Sequence, residues 1–376
     1  MLPTAYFVEK QVLRRLELCH RVGMGAYGMV WKVIEKRTRR VIALKKCFNV
    51  LGQSRDAQRM YREVMYLQFL AHDNIIQMQH VIRAENRQDV YLTFEYMQAD
   101  MGAVIRAGVL MSIHTKYIAY QLLKALKYIH SAGVVHRDIK PSNLLLNDSC
   151  HLKLCDFGHA RSLSDERTGS PPLTDYVGTR WYRAIEVLLG STHYTFAVDM
   201  WAVGCIYAEM LLGQPIFPGT STIDQLVRIL ELIGRPGAQD IDSVCSAYAS
   251  TLLEMLPVLR PVSFVEMFPN VSAEALNFMS QCLCYNPQKG HRCSVFEALR
   301  HPLIAEFHDP DDEPTSSKLE LEMDDFQVFS ASEYQEAIYE SVLKRKLVAR
   351  KLERSLMANP ATAILMEHEE TLPEPF

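Results

Sequence analysis

The sequence predicts an α+β fold in which a small β-rich lobe is followed by a larger helical lobe. Stretches of strand length that are rich in β-branched and aromatic residues fill most of residues 16–97, whereas helical spacing of hydrophobic residues dominates from residue 113 onwards. The chain has 376 residues, of which 48% are hydrophobic and 22% are charged, so it can bury a large core in two lobes. We expect a ligand site where the two lobes meet.

The β-rich part is predicted to hold five strands and one helix. The strands are expected at residues 16–22, 29–34, 41–46, 75–82 and 90–94. The helix is expected at residues 55–70, where Met60, Val64 and Leu67 recur near helical spacing.

The later part begins with a strongly helical stretch at residues 113–130, and Gly133 follows it as a stop signal. Residues 144–146 and 152–154 flank a turn sequence of Asn, Asp and Ser, which is typical of a short β-hairpin. Helical patterns dominate the rest of this part.

Charge and composition narrow the classes of function. The net charge is −4, so neither nucleic acid nor an anionic membrane is the expected partner. The most hydrophobic stretch, residues 200–212, is too short to span a bilayer and is predicted to be a buried helix. Nine cysteines lack paired spacing, which favours free thiols in a reducing compartment. We therefore expect the cytoplasm. A basic stretch at residues 344–354 makes nuclear import or an acidic partner a second candidate, although a solvated helix face is the favoured interpretation of such a stretch.

Residues 23–30 fit the glycine spacing G-x-G-x-x-G-x-V, which dinucleotide-binding folds share. In those folds a helix begins inside the motif, whereas residues 29–34 look like a strand here. The glycines are therefore predicted to lie at a hairpin tip, where backbone amides can approach phosphate oxygens, and a plain glycine-rich turn is the alternative. The residues expected to contact the nucleotide are Val22, Gly23, Met24, Gly25, Ala26, Tyr27, Gly28, Met29 and Val30.

Lys45 is the lysine expected to reach the phosphates. Side chains alternate between the two faces of a strand, so Ala43 and Lys45 share one face and Lys46 points away. The small Ala43 is expected to form the floor of an adenine slot. Glu63, on the predicted helix, is the candidate carboxylate that holds Lys45, and the alternative is that both are solvated surface charges.

Residues 136–143 bring a carboxylate, an ammonium and an amide into one short irregular stretch. Phosphoryl transfer uses these groups: Asp138 accepts a proton from or orients the attacking hydroxyl, and Lys140 steadies the moving phosphoryl group. The amide oxygen of Asn143 is expected to hold a metal ion. Asp156 follows a predicted hydrophobic strand, and its carboxylate suits Mg²⁺, a hard cation that prefers oxygen ligands.

In their order and spacing these segments resemble the eukaryotic protein-kinase family over roughly residues 15–305, including its catalytic-loop signature H-R-D-x-x-x-x-N. The resemblance implies a bilobal protein kinase fold and the use of ATP with Mg²⁺. It also implies an N-lobe at residues 1–97, a C-lobe at 98–305 and a C-terminal extension at 306–358. Residues 359–376 are rich in Glu and Pro, and this composition predicts a disordered tail.

The same resemblance assigns further roles near the nucleotide. The backbone from Glu95 to Met97 is expected to bind adenine, and Asp100 to contact the ribose, although a solvated surface aspartate is nearly as good an interpretation. A lysine two residues after Asp138, namely Lys140, resembles Ser/Thr kinases and differs from tyrosine kinases.

The sequence Thr174-Asp175-Tyr176 and the residues that follow it resemble the activation segment of mitogen-activated protein kinases, and residues 120–147 and 194–226 look most like the extracellular signal-regulated kinase seven/eight group. This resemblance implies activation by phosphorylation of Thr174 and Tyr176, carried out by an upstream kinase or by autophosphorylation. Folding of the segment by packing alone is the alternative. The arginines expected to bind the two phosphates are Arg59, Arg62, Arg137, Arg161, Arg180 and Arg183.

The resemblance to mitogen-activated protein kinases also implies a set of partners. It implies a monomer that acts on protein substrates at Ser or Thr followed by Pro. Residues 309–314 resemble an acidic docking patch, in which Asp309, Asp312 and Glu313 would attract peptides with basic motifs. A solvated acidic loop is the alternative.

The chain departs from the kinase pattern where Ala184-Ile185-Glu186 replaces the usual Ala-Pro-Glu, which puts the rigidity of the substrate loop in doubt. Glu186 is still expected to pair with Arg292 in the helical lobe. Two other interpretations stay open, a cyclin-dependent-kinase-like enzyme and a pseudokinase scaffold. The intact Lys45 and Asp138 argue against the scaffold.

Overall fold

A computed structural model describes residues 7–25, 28–163, 180–191, 195–258, 260–288, 291–325 and 327–358. Its strands are β1 (Leu16–Gly25), β2 (Gly28–Glu35), β3 (Val41–Cys47), β4 (Met78–Arg83), β5 (Val90–Glu95), β6 (Ala99–Asp100), β7 (Val134–Val135), β8 (Leu144–Leu146), β9 (Leu152–Leu154) and β10 (Arg161–Ser162). Its helices are α1 (Lys10–Leu13), α2 (Ser54–Phe69), α3 (Met101–Ala107), α4 (Ser112–Ser131), α5 (Ile185–Leu188), α6 (Ala197–Leu212), α7 (Thr222–Ile233), α8 (Ala238–Ser243), α9 (Ala249–Glu254), α10 (Phe264–Met267), α11 (Ala273–Cys282), α12 (Val295–Leu299) and α13 (Ala331–Ala358).

These elements form two compact units. Among the described residues, the strand-rich unit contains residues 7–71, 76–96 and 327–358, and the helical unit contains residues 72–75 and 97–325. A strand-rich unit and a helical unit agree with the predicted α+β class.

The strand-rich unit is built on a five-stranded antiparallel sheet with the order β1-β2-β3-β5-β4. All five predicted strands are present, but β4 begins at Met78, later than predicted. Ile75 is buried and forms an isolated bridge with Leu154 of the helical unit. Ile75 was predicted to belong to β4 because a β-branched residue next to a strand looks like part of that strand in the sequence.

Side chains alternate across β3, as predicted. Ile42 and Leu44 enter a core with Val33 and Tyr91. Lys46 lies on that buried side, where its Nζ is 3.3 Å from a carboxylate oxygen of Asp89. Lys45 therefore projects from the other side of the sheet.

Two helices of the strand-rich unit, α2 and α13, pack against each other. The rings of Tyr61 and Tyr334 lie 5.6 Å apart, and the Gln58 side chain donates a hydrogen bond to the Gln327 carbonyl. Near the other end of α2, Ser341 Oγ donates to Gln68 Oε1 at 2.7 Å. The C-terminal helix thus completes the core of a unit whose other elements come from the first 96 residues.

The helical unit surrounds α6, which is buried along nearly its whole length, as predicted. Trp201 of α6 lies in a hydrophobic core with Phe217, Leu226 and Ile229. None of the helices within the described residues has the length and hydrophobicity needed to cross a membrane.

The helical unit also contains a histidine, His72, whose pKa is lowered by its surroundings. Burial and, secondarily, the charge of Lys124 lower the pKa of His72 from 6.5 to about 4. Its Nδ1 accepts a hydrogen bond from the Asn74 backbone at 2.9 Å, and its ring packs on Tyr128.

Acidification is therefore expected to destabilise the protein through His72. The folded pKa lies below the unfolded value, so the unfolded state binds more protons between about pH 6.5 and pH 4, and stability falls as the pH falls through that window. Urea unfolding at a series of pH values gives the free energy of unfolding of the wild type and of His72→Asn. This free energy should depend less steeply on pH in the variant, by the equivalent of up to about one bound proton. Equal slopes for the two proteins would contradict this assignment.

Candidate active site

The glycine motif lies in the hairpin of β1 and β2, where Gly25 faces Gly28. Two different structural reasons explain why glycine occupies these positions. A Cβ on Gly28 would lie 2.2 Å from the Lys46 carbonyl oxygen, so only glycine fits there. A Cβ on Gly23 or Gly25 would meet nothing within 4 Å, so these two leave the backbone open to a ligand.

The structure separates the other residues predicted to contact a nucleotide at the hairpin. Val22 and Met24 are exposed, and Val30 lies beside Lys45 on the neighbouring strand. Met29 points to the opposite side and is buried in the core with Trp31, which contradicts a side-chain contact for it. The predictions for Ala26 and Tyr27 fall outside the described residues.

Lys45 and Glu63 are brought together in the strand-rich unit. Lys45 Nζ lies 2.6 Å from Glu63 Oε1, and both side chains are mostly shielded from solvent. The pair is therefore a charge-assisted hydrogen bond between β3 and α2, and the solvated-charge alternative is wrong.

The residues predicted to bind adenine and ribose have structural contacts of their own. Glu95 Oε1 accepts a hydrogen bond from the Gln77 backbone at 2.9 Å, and Met97 is buried. Asp100 Oδ1 accepts a hydrogen bond from the Ala103 backbone at 2.8 Å and caps α3. Asp100 therefore has a helix-capping role that neither the predicted ribose contact nor the solvated-aspartate alternative included.

Three polar side chains meet in residues 136–143 of the helical unit. Lys140 Nζ lies 2.6 Å from Asp138 Oδ2, and Asn143 Nδ2 donates both to that oxygen at 3.1 Å and to the Asp138 carbonyl at 2.8 Å. Both side-chain donors therefore contact the same carboxylate oxygen of Asp138. The predicted trio is brought together.

A buried aspartate that sequence reasoning missed organises this loop. Asp199, at the start of α6, accepts hydrogen bonds from the backbone of His136 and of Arg137 at 2.9 Å each and contacts His130 Nε2 at 3.0 Å. Burial favours a raised pKa for Asp199, but the hydrogen bond and charge of His130 outweigh it and lower that pKa. These bonds hold Arg137 at a φ of 69°, a strained conformation for a residue with a side chain. A lone aspartate inside a hydrophobic run was the available signal, because a buried carboxylate needs partners.

His136 joins the loop to the strand that precedes Asp156. Its Nδ1 accepts from the Asp138 backbone at 3.3 Å, so its Nε2 carries the proton and donates to the Cys155 carbonyl at 3.1 Å. Its ring also packs edge-on against Phe157. His136 is a positioning residue for both Asp138 and Asp156.

The two predicted metal ligands are also linked. The Asn143 carbonyl accepts a hydrogen bond from the Cys155 backbone at 3.0 Å, which places Asn143 beside the residue that precedes Asp156. The amide nitrogen of Asn143 is engaged by Asp138, so its amide oxygen is the end that suits a cation. One carboxylate and one amide fit Mg²⁺, which takes its other oxygens from water and phosphate. The described part of the chain contains no cluster of three or more His, Cys, Asp or Glu residues that could hold a metal.

The predicted phosphate-binding arginines have varied surroundings, while Thr174 and Tyr176 lie outside the described residues. Arg62 is buried on α2, which also carries Arg59, and Arg183 is half-buried. Arg137 donates to the His159 carbonyl, and Arg180 donates to the Thr220 carbonyl. Arg161 forms an ion pair with Asp325 at 2.8 Å, and its predicted role toward a phosphate stays a prediction.

Residues 180–186 are anchored to the helical unit by side chains. Trp181 Nε1 donates to the Gly219 carbonyl, and Tyr182 donates to Glu209 Oε2 at 2.6 Å. Ile185, which stands where proline is usual, is fully buried in the hydrophobic core. These contacts fix residues 181, 182 and 185 within the helical unit.

Glu186 and Arg292 form the buried pair expected from the sequence. Two bonds of 2.6 and 2.9 Å join the guanidinium to the carboxylate. Arg292 also donates to the carbonyls of Ala197 and Cys284 and lies over the Trp201 ring.

Two of the three acidic residues of the predicted docking patch form ion pairs within the helical unit. The Glu313 side chain is fully buried between Lys127 at 3.1 Å and His308 at 2.6 Å, which contradicts a docking role for it. Asp312 pairs with Lys124. Asp309 caps a short 3-10 turn and remains exposed. A cationic helix lies beneath this loop, and the local sequence did not reveal it.

Comparison with known proteins identifies the wider group. The family model described as protein kinase domain matches residues 16–304. The chain is 49% identical to the extracellular signal-regulated kinase 2 of Dictyostelium discoideum over 358 residues, which cover 94% of this chain and 95% of that protein. It is 48% identical to the mitogen-activated protein kinase 15 of Xenopus laevis over 92% of this chain and 60% of that protein. It is 40% identical to the extracellular signal-regulated kinase 7 of Drosophila melanogaster over 86% of this chain and 36% of that protein.

Proposed function

Because the chain belongs to the protein kinase family and, within it, to the mitogen-activated protein kinases, we propose that it transfers the γ-phosphoryl group of ATP to Ser or Thr residues followed by Pro in protein substrates. The observation that carries the proposal is the convergence of Lys140 and Asn143 on one carboxylate oxygen of Asp138. This arrangement leaves the second oxygen to receive a hydroxyl group.

The reaction assigns one task to each side chain of this trio. Asp138 orients the substrate hydroxyl and takes its proton as the hydroxyl oxygen bonds to phosphorus and the bond to the leaving ADP oxygen breaks. Lys140, already 2.6 Å from Asp138, places a positive charge beside the transferred group. Asn143 fixes the orientation of Asp138 through its amide nitrogen.

Asn143 and Asp156 would hold magnesium, which when bound supplies positive charge to the phosphate oxygens. Lys45, fixed by Glu63, would bind the phosphates, and the backbone at Gly23 and Gly25 is open to receive them. The backbone of residues 95–97 binds the adenine over Ala43.

The specificity for proline can be tested with two peptides that differ only after the phosphorylated serine. We expect kcat/KM for a Ser-Pro peptide to exceed that for its Ser-Ala analogue by roughly tenfold or more. Alanine has a backbone N–H that would stay unsatisfied in a pocket without a hydrogen-bond acceptor, whereas proline has no such N–H. Equal rates for the two peptides would show a kinase without proline direction, and no transfer to either peptide would argue for the scaffold.

Glu63→Gln tests the link between the ion pair and phosphoryl transfer. The variant keeps the shape of the side chain but removes the charge that fixes Lys45, so we expect kcat/KM to fall about 10²-fold, the cost of misplacing a reacting group by roughly 1 Å. Glu17→Gln, on the exposed face of β1, is the matched control and should retain wild-type activity. A drop below threefold in Glu63→Gln would contradict the assigned role.

We further propose that phosphorylation of Thr174 and Tyr176 activates the enzyme. Each phosphate adds about −1.5 to −2 charges, which nearby arginines can bind. The combined variant Thr174→Ala with Tyr176→Phe should lose most activity, and mass spectrometry before and after incubation with MgATP should distinguish autophosphorylation from an upstream kinase. An unchanged rate in the variant would refute the switch.

A further inference from the structure

The outward side of α13 is hydrophobic over two turns. Leu343, Leu347 and Val348 are 59%, 57% and 61% exposed, whereas Tyr334 and Ile338 of the same helix are buried. Residues four apart lie on one face of a helix, so Leu343 and Leu347 form a continuous strip, with Val348 at its edge. A continuous strip of large exposed hydrophobic side chains is typical of a surface that binds another segment or protein.

Cations surround this strip. Lys346, Arg350 and Lys351 alternate with the exposed hydrophobic residues along the same two turns. Burial, followed by the charges of Arg15 and Arg350, lowers the pKa of Lys346, so these positive groups act on one another. The surface therefore fits a segment that is both hydrophobic and acidic.

The chain that follows α13 has this composition. Residues 359–376, which lie outside the described part, contain the triplet Ile364-Leu365-Met366 followed at once by Glu367, Glu369 and Glu370. Residues 359–376 contain no Lys or Arg. Pro360 is poorly suited to continue α13, which favours a change of direction there.

We propose that residues 363–370 fold back onto α13, with the hydrophobic triplet covering Leu343 and Leu347 and the glutamates pairing with Lys346, Arg350 and Lys351. The distance can be spanned. Leu347 lies 11 residues before Ala358, or about 16 Å along the helix, and seven residues of extended chain reach about 23 Å. Covering the hydrophobic residues of this segment would offset the entropy lost when the segment docks.

Hydrogen-exchange mass spectrometry on the full chain tests this docking. In the wild type, amides of residues 363–370 should exchange at least about tenfold more slowly than an unstructured peptide of the same sequence. The combined variant Glu367→Lys, Glu369→Lys and Glu370→Lys should lose that protection. Adding Lys346→Glu, Arg350→Glu and Lys351→Glu to it should restore the protection, because the charges are then exchanged across the contact.

A matched control separates docking from a change in net charge. Glu231, Glu254 and Glu320 are exposed, and replacing all three with lysine changes the net charge equally but should leave the exchange of residues 363–370 unchanged. Unprotected amides in the wild type would overturn the proposal. Protection that rises with protein concentration, together with a doubled mass in sedimentation, would also overturn it by showing that a second copy covers the face.

Discussion

Asp138→Asn is expected to lower kcat for phosphoryl transfer by about 10²–10⁴-fold, the usual contribution of a positioned acid or base. Asparagine keeps the shape of the side chain and can still accept a hydrogen bond from Lys140, which lies 2.6 Å from the carboxylate. It cannot take the proton of the attacking hydroxyl. Because the residues proposed to bind ATP are unchanged, KM for ATP should stay within about threefold of the wild-type value.

Steady-state kinetics with a Ser-Pro peptide measures both constants. Asp148→Asn, an exposed aspartate in the turn between β8 and β9, is the matched control and should behave as the wild type. A kcat for Asp138→Asn within tenfold of the wild-type value, in a protein that unfolds at the wild-type temperature, would remove Asp138 from the reaction.

Arg292→Met is expected to destabilise the protein by about 3–5 kcal/mol, the cost of leaving a buried charge without its partner. The change removes both bonds to Glu186 and the donors to the carbonyls of Ala197 and Cys284. Chemical unfolding followed by tryptophan fluorescence measures the loss, since Trp201 lies against the guanidinium. Arg300→Met, at an exposed position, should change stability by less than about 0.5 kcal/mol.

A second variant distinguishes the buried charge from simple loss of volume. Adding Glu186→Gln to Arg292→Met removes the uncompensated carboxylate, so the double variant should be more stable than Arg292→Met alone. Strictly additive losses would mean that the pair does not act as a unit.

Local sequence patterns were sufficient to predict the five-stranded sheet, the glycine motif at residues 23–30 and the polar loop at residues 136–143. Alternation along residues 41–46 assigned Lys45 and Lys46 to opposite sides, because strand geometry depends only on neighbours in sequence. The class of fold followed from periodicity, and the buried helix α6 followed from the hydrophobicity and short length of residues 200–212.

What failed depended on contacts between distant parts of the chain. Glu313 looked like a docking residue because Lys127, which neutralises it, lies 186 positions earlier. The ion pair of Arg161 was likewise not visible in the local sequence, because Asp325, its partner, lies 164 positions later. Asp199 was missed for the same reason, since its importance lies in the backbone of residues 136 and 137.

The packing of α13 on α2 has a consequence for how the protein is made. Gln327, where the last piece of the strand-rich unit begins, is translated 231 residues after Tyr96. Tyr334 follows Tyr96 by 238 residues, so at about 5–20 residues per second a nascent chain waits roughly 12–48 s before Tyr61 can meet Tyr334. During that interval the side of α2 that carries Tyr61 lacks its partner helix, and transiently exposed hydrophobic surface of this kind is what chaperones bind.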